Sequence, residues 1–224
     1  MAVLIQKAKA IAKKIVKEIE QRIEILREKL NGILGTYPVY EGLIYTEEEE
    51  ECIEKTAEIV GEFFEESPGD CLLDEDFESR CEAIEDFGAR LVEYYGLDGV
   101  EIVITDDEEV FPGQDQKYTR GKAVYAEGVV YINSNFVRVE DGQILEQIVS
   151  TIIHELRHFM QFQIITMQNT YGVPYNRRHA WRSNFLNYED GRYDVEAYRK
   201  QPIEVDARNF ANRVWRKAYG KKIQ

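Results

Sequence analysis

The sequence predicts an α+β fold in which a helical N-terminal region precedes a small antiparallel sheet and two further helices. Three observations carry this. From Ala8 to Leu34 apolar residues recur every three or four positions, the period of one helix face. The period then changes, because "GVEIVIT" (99–105) and "KAVYAEGVVYINS" (122–134) are rich in Val, Ile and Tyr, as strands are. Helical spacing returns near Asp141 and again at Pro202. With 224 residues, 44% hydrophobic and 12% aromatic, the chain can bury a sizeable core. The expected organisation is a helical region over residues 1–98 and a second domain over 99–224.

Each element follows from local signals. Ile11, Ile15, Ile19, Ile23, Leu26, Leu30 and Ile33 form the stripe of a long amphipathic helix, which Gly32, Gly35 and Pro38 break. A second helix starts at Thr46, whose side chain can cap it while the following glutamates favour the positive end of its dipole. It should run to about Glu66 and stop at "SPGD". The acidic run reads as a solvated helix start, since it lacks the alternating ligands and central glycine of a calcium loop. A third helix fits Glu75 to Tyr95, ended by Gly96. The strand-like stretch after Lys122 folds into a hairpin at Glu127-Gly128, and "DDEEVFPGQDQKYTRG" before it is a polar loop. A long helix spans Asp141 to Met167, a tyrosine-rich and irregular segment follows, and a last helix runs from Pro202 to about Tyr219.

Charge narrows the function classes. A formal charge of −14 argues against nucleic acid or an anionic membrane as the main partner. The imbalance is uneven: residues 177–224 carry twelve Lys or Arg against six Asp or Glu, so that tail is about +6 and the remainder about −20. The N-terminus spaces its lysines through apolar residues, unlike a signal peptide, and no stretch reaches membrane-spanning length. Cys52, Cys71 and Cys81 are odd in number and lie away from the motif described next, so they are expected to be free thiols in a reducing cytoplasm.

Two of the three histidines fall in "STIIHELRHFMQ" (150–161). In His-Glu-x-x-His on a helix, His154 and His158 project from one face a turn apart, so both imidazoles can reach one ion. Glu155 lies beside them, where a carboxylate can hold an activated water. Zinc suits such a ligand set and keeps one position open. The opposing view is that the histidines are polar residues of an ordinary helix, but Val149, Ile152, Ile153, Leu156, Met160 and Ile164 supply an apolar stripe that would seat this helix against a core. A third ligand is still needed. His179 sits in the basic "YNRRHAWR", where an added cation is repelled, and Gln161 and Ile164 stand where a metzincin would have glycine and histidine. "QPIEVDARNFANRVW" is the better source: Glu204 lies in a first helical turn and shares its face with the small Ala207, which allows close helix approach. Asp206, two residues on and therefore about 200° around the helix, suits a different role, as hydrogen-bond partner of a ligand imidazole.

The pairing of "HELRH" with a later Glu-x-Asp-Ala-x-x-Phe-Ala, here Glu204 to Ala211, resembles the gluzincin branch of zinc metallopeptidases, nearest to the small ImmA/IrrE-like and minigluzincin-type proteins of bacteria and phages. The resemblance covers roughly Val100 to Lys217 and includes a hairpin directly before the motif helix. It implies a zincin-like domain over 99–224, with His154, His158 and Glu204 as zinc ligands and Glu155 as general base. An oxyanion donor is expected from Tyr171, Tyr175, Tyr188, Tyr193, Tyr198 or His179, among which spacing does not choose. The expected function is a zinc endopeptidase acting on a protein or peptide, which would bind as an added strand beside Lys122 to Ala126. The alternative is a non-catalytic regulatory or binding protein that retains the fold, against which the intact Glu155 speaks.

Overall fold

A computed structural model describes residues 44–64, 67–166, 172–189 and 194–220. The helix expected over Ala8–Leu34 lies outside these residues, as do Tyr171 and Tyr193. Helix α1 (Glu47–Phe63) opens with a capping box: the Thr46 hydroxyl accepts the Glu49 N–H, and the Glu49 carboxylate accepts the Thr46 N–H. It buries Ile53, Thr56, Ala57, Ile59 and Val60. The "SPGD" stretch, expected only to end that helix, also begins another. Ser67 accepts the Asp70 N–H, and Pro68 occupies the first turn of α2 (Pro68–Leu73), because the residue types that stop one helix are the ones that start the next. Helix α3 (Phe77–Tyr95) is capped by Asp76 and ends at Gly96, which takes a left-handed φ of 62°.

The sheet is mixed, which corrects the expected antiparallel one. Strands β1 (Glu101–Thr105), β2 (Gly121–Val124) and β3 (Val129–Asn133) lie in the order β1-β3-β2, with β3 parallel to β1 and antiparallel to β2. The hairpin is local and antiparallel, as its turn signals require. Residues 106–120, with the short helix α4 (Asp115–Tyr118), carry the chain past one strand position, so β1 meets the far strand of the hairpin. Helix α5 (Ser134–Val137) then leads into α6 (Gly142–Thr166).

The segment expected to be irregular holds two helices, α7 (Tyr175–Leu186) and α8 (Val195–Lys200), before α9 (Pro202–Tyr219) closes the described chain. The sequence hides α7 because much of its buried side is polar: Arg177, Ser183 and Asn184 lie inward with Ala180 and Trp181. One apolar cluster takes Ile53 and Val60 from α1, Phe87 and Leu91 from α3, Val130 and Ile132 from β3, Ile152 and Leu156 from α6, and Phe210 and Trp215 from α9. The core therefore continues across residue 98. Among the described residues no helix is long and apolar enough to cross a membrane.

Candidate metal centre

Helix α6 crosses the centre of the molecule because its stripe Val149, Ile152, Ile153, Leu156, Met160 and Ile164 is fully buried. The face beside that stripe carries His154, Glu155 and His158 along a cleft whose opposite wall is β2. Helix α9 supplies the facing carboxylate, and its start is pinned by side chains. Asn184 Oδ1 accepts the Ile203 N–H (3.1 Å), Asn184 Nδ2 donates to Gln201 Oε1 (2.7 Å), and Pro202 fills the first turn. Glu204 thereby projects at the histidines, with Ala207 fully buried one turn later.

Three potential ligand groups converge. His154 Nε2 and His158 Nε2 are 3.1 Å apart, and they lie 3.3 and 3.4 Å from Glu204 Oε2 and Oε1 respectively. One ligand atom from each of the three residues can be chosen so that all lie within 4.8 Å of one another. Tetrahedral zinc with bonds of about 2.0–2.1 Å sets neighbouring ligands about 3.3–3.4 Å apart. The donor set, two imidazoles and a carboxylate, fits that ion in chemistry, and the two imidazole nitrogens, 3.1 Å apart, approach that spacing.

The converging groups also act on one another's charge. Burial opposes a charge on His158, but the adjacent Glu204 carboxylate and its hydrogen bond outweigh this and push the imidazole pKa up to about 9. Burial would raise Glu204, yet the imidazoles, His158 foremost, hold it well below the usual carboxylate range. Glu155 Oε2 accepts the Ala123 N–H at 3.0 Å, so the glutamate lies against the cleft-facing edge of β2.

The tyrosines divide. Tyr188 and Tyr198 line the cleft, and the Tyr188 hydroxyl donates to Glu204 Oε1 (2.9 Å). Burial first, then the charge of Glu204, pushes both phenols far above their usual pKa, so they remain O–H donors. Tyr175 and His179 are not among the residues that line the cleft. They stand one turn apart on α7, their rings 5.9 Å from each other, with Tyr175 strongly exposed.

Two further expectations are corrected. Asp206 was expected to meet a ligand imidazole, but among the described residues its carboxylate is bonded to Arg157 and Gln161 and to no histidine. Its Oδ2 instead accepts from Arg157 Nε (2.8 Å) and Gln161 Nε2 (2.7 Å), because it leaves α9 on a different side from Glu204. The acidic run is also not wholly solvated. Glu49 is 1% exposed, with Oε1 taking Arg157 (2.7 Å) and Oε2 taking Arg177 (2.5 Å). Two arginines and two carboxylates thus form a buried neutral quartet from α1, α6, α7 and α9, with the Arg157 guanidinium 4.7 Å from the Phe210 ring centroid. Sequence reasoning missed Arg157, Arg177 and Gln161. Only Gln161, one turn beyond His158, had a legible signal. Tyr125, from the hairpin turn, also lines the cleft and stacks on Phe162 at 5.2 Å.

Comparison of the chain with protein-family models, with curated proteins and with solved structures found no match.

Proposed function

We propose that this chain is a zinc-dependent endopeptidase that hydrolyses peptide bonds in a protein partner. The observation that carries the reading is the convergence of ligand atoms from His154, His158 and Glu204, all within 4.8 Å of one another, at an open cleft with Glu155 alongside. Zinc held by these three residues would polarise a scissile carbonyl and lower the pKa of a bound water.

The chain's own groups supply the remaining chemistry. Glu155 accepts a proton from the attacking water and returns it to the departing amine. Tyr188 and Tyr198, kept protonated by burial beside Glu204, would offer O–H donors to the oxyanion by turning from that carboxylate. Strand β2 is an edge strand, and its Ala123 N–H points away from β3 into the cleft. An extended peptide pairing there would take this N–H from Glu155 and release the carboxylate for its role as base. A substrate-bound structure with the β2 edge unpaired would remove that step.

The test joins metal content to cleavage. Protein purified without added metal should carry zinc and cut peptides in a chelator-sensitive manner. Glu155→Gln should keep the zinc and lose at least about 100-fold in hydrolysis, the usual worth of a positioned general base. Unchanged cleavage in that variant, or a chain that takes up no zinc, defeats the proposal.

A further inference from the structure

Gln161 lies one turn beyond His158 on α6 and is fully buried. Its side-chain nitrogen faces two oxygens, the Ile203 carbonyl at 3.0 Å and Asp206 Oδ2 at 2.7 Å. Its side-chain oxygen stands 2.9 Å from His158 Nδ1. A carbonyl cannot donate a hydrogen bond, and Asp206 Oδ2 already accepts one from Arg157 Nε at 2.8 Å. Turning the amide over would set its oxygen against two acceptors in a buried site, at the full cost of unpaired polar groups. The amide therefore has one allowed orientation. Its oxygen can only accept, so the proton between Gln161 and His158 belongs to Nδ1 of the imidazole.

The consequence falls on the other ring nitrogen. With Nδ1 protonated and bonded, the neutral imidazole keeps its lone pair on Nε2, the atom turned towards His154 and Glu204. We propose that Gln161 is a positioning residue that fixes the tautomer and ring plane of His158, and that Asp206, itself locked by Arg157, fixes Gln161. The inference rests on the metal reading for its use but not for its geometry. In place of a carboxylate acting directly on a ligand imidazole, this chain inserts an amide between carboxylate and ring. The carboxylate's charge then remains paired with arginine, and only a neutral acceptor reaches the imidazole.

The test separates tautomer from metal. In the metal-free protein in alkaline buffer, where the imidazole is neutral, nitrogen-15 NMR should place the His158 proton on Nδ1. Proton residence on Nε2 overturns the proposal whether or not zinc binds. A Nδ1 proton in a chain that takes up no zinc sustains the proposal and defeats only the metal reading. Gln161→Met keeps side-chain length but removes the acceptor. It should lose the Nδ1 signature and weaken zinc about 10- to 100-fold in chelator competition. Zinc affinity unchanged in a folded Gln161→Met protein overturns the proposal.

Discussion

In the metal-free protein His158 and Glu204 hold each other charged, and this gives the molecule a pH dependence of definite sign. The folded pKa of His158, about 9, lies above its ordinary 6.5. The stability this confers is therefore complete below about pH 6.5 and is lost as pH rises through about 9. Glu204 is depressed from 4.5, so its share is present above that value and lost as pH falls. Zinc-free protein should thus unfold at progressively lower temperature from pH 6.5 to beyond 9. Zinc-loaded protein should not, since a ligated imidazole has no proton to release there. Differential scanning calorimetry after chelator treatment measures the slope, and a slope unchanged in His158→Gln would assign it to other groups.

The elements that carry the site are tied together by charge buried between them. Glu49 closes the capping box of α1 and also receives Arg157 from α6 and Arg177 from α7. Removing one member leaves its partners charged and buried, so Glu49→Ala should cost about 3–5 kcal/mol in urea unfolding. The neighbouring Glu50, paired with Arg213 near the surface, should cost under about 1 kcal/mol when changed to Ala. Equal losses in the two variants would deny Glu49 its interior role. This network also marks where sequence reading stops. Thr46, Gly96 and Pro202 were legible because caps and breakers act within a few residues, and His154, Glu155 and His158 because their spacing is one helical turn. Glu49 looked solvated because its partners lie 108 and 128 residues away. Helix α7 escaped notice because its buried face carries arginine, serine and asparagine, whose burial depends on partners in other elements. The parallel pairing of β1 with β3 had no local signal, whereas the hairpin did.

At the scale of the molecule, the three proposed ligands join two helices that sequence sets far apart, α6 and α9, and both helices enter a core shared with α1, α3 and β3. An ion bound between them would act on global unfolding, since separating α9 from α6 opens that core. Ligand that binds only the folded state adds RT ln(1 + [L]/Kd), so free zinc at 100 times its dissociation constant should add about 2.7 kcal/mol, about 5–10 °C in Tm for a chain of this size. One transition is expected to move as a whole. Glu204→Ala removes one of three protein ligands and should abolish the shift, whereas Glu155→Gln leaves the ligands intact and should retain it. Asp206→Ala is the informative contrast, because it should lower the starting Tm by stranding Arg157 yet still respond to zinc with weakened affinity. A full zinc shift in Glu204→Ala together with none in Asp206→Ala would move the third ligand to Asp206 and reverse the assignment of the two faces of α9.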